Sequence, residues 1–140
     1  MTQSKTLTTT LVDTSYWVDF FRGNTQGLPL VERLERHKHG EPLSCSEPIQ
    51  MEMLAGARSA AQYNTIHNAT ISLHWSGVDP ASDFEAAARI YSLARTHGIT
   101  AGGLLDCLII AIAVRTNSQL MTRDTTQKDI AQLLGVVIID

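Results

Sequence analysis

This sequence is poor in several residue types, and each shortage narrows the classes of protein to which it can belong. It contains two cysteines among 140 residues, Cys45 and Cys107, which stand far apart and outside any zinc-ligand spacing. We therefore expect reduced thiols in the cytoplasm, with neither a disulfide framework nor a zinc site. The apolar run 107–114 is too short to span a membrane, and residues 1–10 lack the apolar stretch of a signal peptide.

The sequence also lacks an excess of basic residues, since Lys and Arg number 11 against 14 acidic residues and the net charge is −3. Because phosphate contacts require Lys and Arg, this balance argues weakly against a nucleic-acid partner. The hydrophobic content of 44% and charged content of 18% are ordinary for a globular protein, so we expect a single domain over residues 1–140. The stretch 37–39, His-Lys-His, lies among charged residues, which favours a solvated surface over a metal site.

Strand and helix patterns alternate along the chain. Strands are expected at 6–13, 41–46, 118–122 and 136–140, with 75–80 either a strand remnant or a turn. Helices are expected at 14–22, 28–39, 47–58, 59–74, 83–98, 104–115 and 126–135. Such alternation predicts an α/β fold in which helices flank a mainly parallel sheet.

The segment 104–115, L-L-D-C-L-I-I-A-I-A-V-R, places an aspartate in the first turn of a helix that is otherwise apolar on all sides. The helix dipole stabilises such a charge by only about 0.3–1 kcal/mol at exposed sites, which is small beside the cost of burying a carboxylate. Arginine and lysine are absent one turn away on this helix. We therefore expect the tertiary structure to bring a cation to Asp106.

Three further acids stand at positions that suggest a site. Asp13 and Asp124 end predicted strands, and sites in open parallel sheets form outside the carboxyl ends of strands. Each could instead cap the helix that follows it. Glu52 lies inside a helix among apolar and small neighbours such as Ala55 and Gly56, although the edge of a partly exposed helix is the alternative.

Carboxylates that converge in one pocket repel one another unless a hard cation neutralises them. Oxygen ligands without histidine or cysteine favour Mg²⁺ or Mn²⁺ over zinc. Such ions clamp the attacking and leaving oxygens of a phosphodiester displacement and activate the attacking water. If the four acids converge, which the residues alone leave open, the sequence predicts a metal-dependent nuclease.

Four stretches of the sequence then resemble a known family. L-V-D-T-S-Y-W-V-D-F-F-R-G (11–23) resembles the opening of PIN-domain ribonucleases, specifically the VapC-type toxins of bacterial VapBC toxin–antitoxin modules. E-P-I-Q-M-E-M-L-A-G-A-R resembles their second motif, D-F-E-A-A-A-R-I-Y with G-I-T-A-G-G-L-L-D-C-L-I-I-A-I-A the third, and L-M-T-R-D the fourth. The resemblance runs in order over nearly the whole chain and implies a PIN-like three-layer sandwich.

The resemblance assigns the family's acidic quartet, which holds Mg²⁺ or Mn²⁺ for endonucleolytic cleavage of RNA. The quartet falls on the acids singled out above: Asp13, Glu52, Asp106 and Asp124. By the same resemblance, three hydroxyl residues support the site: Thr14, Ser15 and Thr122. The chain departs from the family after the fourth acid, where D-T-T-Q-K-D-I-A lacks a common aromatic, so Asp129 is an alternative to Asp124 as the acid that approaches the metal. Asp124 is favoured, because Asp129 lies more than a helical turn further on. Asp19 could support the ligands from behind, but we expect it on a solvated helix face.

The resemblance also implies partners. These are a cognate VapB-type antitoxin, whose C-terminal segment wraps the toxin and can push a basic side chain into the acidic pocket, and a second copy in a homodimer, alone or within a toxin–antitoxin hetero-oligomer. No membrane is implied. Helix 14–22 carries four aromatics, Tyr16, Trp17, Phe20 and Phe21. One helix can bury only a stripe, so we expect part of this set to face outward, with core packing the alternative for Trp17 or Phe20.

Leaving the four proposed ligands out of the count changes the net charge from −3 to +1, so RNA cleavage is compatible with the composition. Candidate phosphate contacts lie near the motifs: Arg22, Arg58, Arg115 and Arg123. Each could instead be a surface ion-pair partner of little energetic value. The alternative function is a catalytically silent PIN-fold module that binds antitoxin or RNA. The presence of all four acids argues against it.

An aspartyl-phosphate phosphatase also begins with an aspartate at a strand end, as Asp13 does here. That chemistry needs a second aspartate two residues later, where this chain has Ser15, so we set this function aside.

Overall fold

The strands of the chain form one parallel sheet. The computed structural model describes residues 8–140, so residues 6 and 7 of the first predicted strand lie outside the described residues. The sheet contains five strands: β1 (Thr10–Val12), β2 (Leu43–Cys45), β3 (His74–Trp75), β4 (Gln119–Met121) and β5 (Ile138–Ile139). Their spatial order is β3-β2-β1-β4-β5, and every pairing is parallel. The predicted α/β fold is therefore confirmed.

Seven helices lie between these strands in the described part of the chain: α1 (Thr14–Arg22), α2 (Leu28–Lys38), α3 (Glu47–Ala55), α4 (Ala60–Ile71), α5 (Asp83–Thr96), α6 (Leu104–Arg115) and α7 (Thr125–Leu133). A single 3₁₀ turn, Thr25–Gly27, precedes α2. Helix α6 has the predicted bounds, whereas α3 ends at Ala55 and not at residue 58. Within residues 8–140, none of the helices is both long enough and apolar enough to cross a membrane.

The core forms around the central strands and α6. Strands β1 and β2 are buried along their whole length, and seven consecutive residues of α6, Cys107–Ala113, are buried as well. A helix that is apolar on every side buries every side, which is why α6 lies inside the molecule. The two cysteines are buried and unpaired, in agreement with the absence of a disulfide framework.

The aromatic cluster of α1 differs from the prediction. Tyr16 and Trp17 are 2% and 0% exposed, and Phe20 and Phe21 are half-buried against the core. The three apolar rings pack on one another, with Trp17 lying 5.8 Å from Phe20 and 5.9 Å from Phe21. The prediction that part of this set faces outward therefore holds only in part, for Phe20 and Phe21, because ring-to-ring packing lets a short helix bury more than one stripe.

Candidate active site

The candidate site lies where two neighbouring parallel strands end. Asp13 directly follows β1, and Asp124 follows β4 three residues after Met121. Because β1 and β4 pair in parallel, their carboxyl ends meet at one edge of the sheet. The hydrogen bonds between β1 and β4 continue as far as Asp13, because the Asp13 N–H donates to the Met121 carbonyl at 2.9 Å. The topology thus brings the two strand-end acids to the same place.

Asp13 is 4% exposed and is held by three donors. Its Oδ2 accepts from the Ser15 N–H at 3.0 Å and from the Thr122 hydroxyl at 3.2 Å. Its Oδ1 accepts from Nε2 of Gln127 at 3.3 Å. Asp13 is also the N-cap of α1, a role that the sequence offered as an alternative to a site role. The cap leaves a site role open, because it uses one oxygen of the carboxylate.

Asp124 has the same double position at the start of α7. Its Oδ1 accepts from the Gln127 N–H at 2.9 Å, as an N-cap does. Its own N–H donates to the Thr122 hydroxyl oxygen at 3.1 Å. The side chain as a whole stays exposed, and its second carboxylate oxygen accepts no hydrogen bond from residues 8–140. Asp124 is therefore anchored through one oxygen and open through the other.

The predicted hydroxyl residues connect these two acids. Thr122 is fully buried and donates to Oε1 of Gln127 at 2.6 Å. The Ser15 hydroxyl oxygen accepts from the Arg123 N–H at 2.9 Å and lies 3.3 Å from that of Thr122. Gln127 was missed by the sequence reasoning. The related family often has an aromatic residue shortly after the fourth acid, and this chain has polar residues there. That difference was the signal that could have indicated Gln127.

Glu52 reaches the site from α3. It is exposed, and the Thr14 hydroxyl donates to its Oε1 at 2.9 Å. Desolvation raises the pKa of Glu52, the hydrogen bond from Thr14 lowers it, and the negative charge of Asp13 raises it further. The Thr14 hydroxyl thus holds one oxygen of Glu52, and its supporting role in a site stays a prediction.

Asp106 lies half-buried in the first turn of α6. Its pKa is raised from 3.8 to about 6, first by desolvation and then by the negative charges of Asp13, Asp124 and Glu52. Gly102 makes room for the carboxylate, since a Cβ on Gly102 would come within 3.2 Å of Asp106 Oδ2. The other three acids are therefore close enough to act on the Asp106 charge.

A counter-ion for these charges is missing from the described part of the chain. In residues 8–140, the salt bridges of Lys and Arg involve none of the four acids. Over the same range, no three acidic, histidine or cysteine side chains stand close enough to form a ready-made metal-ligand cluster. The four acids therefore do not form a preformed cage of ligands. Mg²⁺ binds through one or two carboxylates and keeps several waters, so carboxylates spaced in this way fit it.

The arginines predicted as phosphate contacts fall into two groups. Arg115 lies at the far end of α6 from Asp106, where its Nε donates to Asp83 Oδ1 at 2.9 Å and a second guanidinium N–H donates to the Gly77 carbonyl. Arg22 and Arg58 line a groove of about 640 Å³ that also includes Glu52. Arg22 and Arg58 thus share a groove with Glu52, whereas Arg115 is paired with Asp83.

Arg123 is also paired. Its Nε lies 3.1 Å from Asp19 Oδ2, and its guanidinium stands 5.8 Å from the Tyr16 ring centre. The Asp19 side chain is 16% exposed and also accepts from Nδ2 of Asn24 at 3.0 Å. The expectation of a solvated Asp19 was therefore wrong, because the loop after β4 brings a cation onto α1.

Comparisons with known proteins agree with this geometry. Residues 10–133 match the PIN domain family. The chain is 36% identical over 126 residues to the VapC ribonuclease Mb1587 of Mycobacterium bovis and to ribonuclease VapC11 of Mycobacterium tuberculosis, covering 90% of this chain and 94% of each relative.

Solved structures show the same fold. DNA-bound VapBC from Salmonella typhimurium superposes with a TM-score of 0.74 at 17% identity, covering 96% of this chain and 98% of that one. A toxin–antitoxin complex from Klebsiella pneumoniae superposes with a TM-score of 0.62 at 26% identity, covering 91% and 95%. The three-layer arrangement expected from the sequence is thus shared with these chains.

Proposed function

This chain belongs to the PIN-domain family and to its VapC ribonucleases, and on that basis we propose that it is the toxin of a type II toxin–antitoxin module, a divalent-metal-dependent endoribonuclease. The observation that carries the proposal is Asp106, a half-buried carboxylate whose pKa is raised to about 6 by desolvation and by three further acids, with no cation from the described chain beside it. A charge arrangement of this kind favours a hard cation.

Four carboxylates would hold the ion, which we propose to be Mg²⁺ or Mn²⁺: Asp13, Glu52, Asp106 and Asp124. When bound, such an ion supplies Lewis-acid stabilisation of the phosphoryl oxygens and lowers the pKa of a water. The protein's own side chains hold these ligands in place. Ser15, Thr122 and Gln127 fix the Asp13 carboxylate, and Thr14 fixes Glu52.

The groove beside Glu52 supports an RNA-binding role. Arg22 and Arg58 line it and make no salt bridge to an acidic residue within residues 8–140. Two cations beside the acidic set offset the repulsion that a phosphate backbone would meet there. We propose that these two arginines contact RNA phosphates, and we assign Arg115 and Arg123 to structural ion pairs.

We also propose a cognate VapB-type antitoxin as partner, because the related solved structures include VapBC complexes. The same groove offers apolar surface for it, from Val18, Phe21 and Met53. Further, we expect a homodimer within a toxin–antitoxin hetero-oligomer, and action in the cytoplasm, where RNA is present and thiols such as buried Cys45 stay reduced.

The test compares purified wild type with Asp106→Asn, using Asp129→Asn as a control that changes an exposed acid of α7. Wild type should cleave RNA with Mg²⁺ or Mn²⁺ and stop when EDTA is added. Asp106→Asn should lose about 10³-fold in cleavage rate, since metal catalysis supplies several kcal/mol, while it still binds antitoxin.

Three results would contradict the proposal or one of its assignments. Full cleavage by Asp106→Asn would remove the acidic set from the mechanism. A folded wild type that binds antitoxin but cleaves no RNA with either ion would favour a catalytically silent interaction module. Equal losses in Asp129→Asn and Asp106→Asn would show that the fourth acid is misassigned.

A further inference from the structure

Gln127 on α7 is 1% exposed, which is unusual for glutamine because burying an amide without partners is costly. Both ends of this amide have partners. Nε2 donates to Asp13 Oδ1 at 3.3 Å, and Oε1 accepts from the Thr122 hydroxyl at 2.6 Å. The side chain therefore lies between a proposed metal ligand and a residue of the loop after β4.

Only one orientation of the amide is compatible with these neighbours. Turning it over would place Oε1 against the Asp13 carboxylate, two acceptors facing each other without a hydrogen. With Nε2 toward Asp13, the single hydroxyl hydrogen of Thr122 is directed mainly at Oε1, at 2.6 Å, and is shared with Asp13 Oδ2 at the longer distance of 3.2 Å. The hydrogen bonds thus run in one direction, from Thr122 to Gln127 to Asp13.

The same residue is tied to Asp124. The backbone N–H of Gln127 donates to Asp124 Oδ1 at 2.9 Å, and the Asp124 N–H donates to Thr122 at 3.1 Å. Gln127 therefore contacts both acids that follow strands, one through its side chain and one through its backbone. A side-chain substitution removes the first contact and leaves the second in place.

We propose that Gln127 is a positioning residue, whose buried amide holds the Asp13 carboxylate in the orientation that, together with Asp124, receives a divalent cation. This inference rests on the proposed function. Asp13 Oδ1 uses one acceptor site on Gln127 and keeps another for the ion. Hydrogen-bonded residues behind metal ligands set their orientation, and losing one typically costs about 10- to 100-fold in metal affinity.

The experiment uses Gln127→Met, which keeps the length of the side chain and its helix propensity but removes both amide hydrogen bonds. The matched control is Gln132→Met, because Gln132 is an exposed glutamine on the same helix. Calorimetric titration of the metal-free full chain with Mn²⁺ should show binding weakened about 10- to 100-fold in Gln127→Met. Gln132→Met should match wild type in affinity, and all three proteins should have similar Tm.

A merely structural role would lower Tm without this selective loss, so the dependence of cleavage on Mn²⁺ concentration provides a second readout. For Gln127→Met, excess Mn²⁺ should restore most of kcat. Thr122→Val removes the hydroxyl that orients the amide and should weaken Mn²⁺ binding in the same direction. Combined with Gln127→Met it should add little, because both changes break one chain of hydrogen bonds.

Wild-type Mn²⁺ affinity in a folded Gln127→Met overturns the inference and leaves the proposed function intact. If Gln127→Met does not fold, Thr122→Val decides: weakened Mn²⁺ binding by a folded protein supports the inference, and unchanged binding overturns it. A wild type that neither binds Mn²⁺ nor cleaves RNA overturns the proposed function itself.

Discussion

The two ends of the buried helix α6 hold their acids in opposite ways. At its C-terminal end, Arg115 forms a salt bridge with Asp83, the first residue of α5, which is 1% exposed. Asp83 also accepts from the Asp79 N–H at 2.8 Å. At the N-terminal end, Asp106 is only half-buried, yet it has no cation beside it within the described residues.

Asp83 thus stabilises the fold through its ion pair, whereas Asp106 carries a charge that the described residues do not balance. Hydrogen bonding to Asp83 raises the pKa of Arg115, as expected for a mutually stabilising pair. Desolvation and like charges instead raise the pKa of Asp106 to about 6, so its charge is unfavourable in the metal-free protein. Burial alone therefore does not indicate a site, whereas a disfavoured charge without a counter-ion in the described residues supports the proposed one.

The largest effect on stability is expected from Arg115→Met. This change leaves the Asp83 carboxylate buried without its cation, at a cost of about 2–4 kcal/mol in the free energy of unfolding. Urea titration measures it. Metal-dependent cleavage by the folded protein should stay close to wild type, because Arg115 lies at the far end of α6 from Asp106. A loss of cleavage without a loss of stability would instead support the RNA contact that the sequence suggested for Arg115.

An added cation near Asp106 should make the two ends of α6 alike. Gly103 has an extended backbone with φ 174°, and a Cβ placed there meets nothing within 4 Å, so Gly103→Lys is sterically allowed. The lysine should compete with the divalent ion and weaken Mn²⁺ binding about tenfold, which corresponds to about 1.4 kcal/mol. Gly103→Gln is the uncharged control. Equal affinities of the two variants would show that the charge at Asp106 does not govern metal binding.

The stability of the metal-free protein should depend on pH through Asp106. Its pKa is higher in the folded state, about 6, than the ordinary value of 3.8, so the folded state binds more protons between these values and stability falls as pH rises. Asp106→Asn should therefore be more stable than metal-free wild type at pH 7.5, by about 1–2 kcal/mol after allowance for solvent screening.

This stability difference should shrink below pH 4, where Asp106 is protonated in both states. Thermal unfolding of both proteins across the pH range measures it. A constant gap at every pH would mean that the effect is not electrostatic. Mn²⁺ affinity of wild type should rise with pH through about 6, because the ion needs the deprotonated ligand.

The smallest effect is expected from Arg123→Gln, which breaks the pair with Asp19 at 3.1 Å. The arginine side chain is 37% exposed, so the loss should be below about 1 kcal/mol and should decrease further in high salt. Urea titrations at low and high salt measure it. A loss as large as that of Arg115→Met would show that exposure is not what distinguishes the two pairs.

Much of this arrangement could be predicted from local sequence, and the rest depends on contacts between distant segments. The bounds of α6 follow from its continuous apolar character, and Asp13 and Asp124 could be placed because they follow strands. The burial of Gln127 could not be predicted, since helix periodicity does not show that Thr122 and Asp13 surround it. Nor does any local pattern show that the first residue of α5 meets the last residue of α6.

The distance along the chain between the site's partners bears on how such a protein is made. Asp13 receives its side-chain donors from Thr122 and Gln127, and β1 pairs with β4 on the side where the site forms. A ribosome adds residues in order, so β1 has no strand on that side until Gln119–Met121 have been synthesised. The proposed site is thus completed only after the segment up to Gln127 has been synthesised, so a shorter nascent chain lacks the residues that hold Asp13.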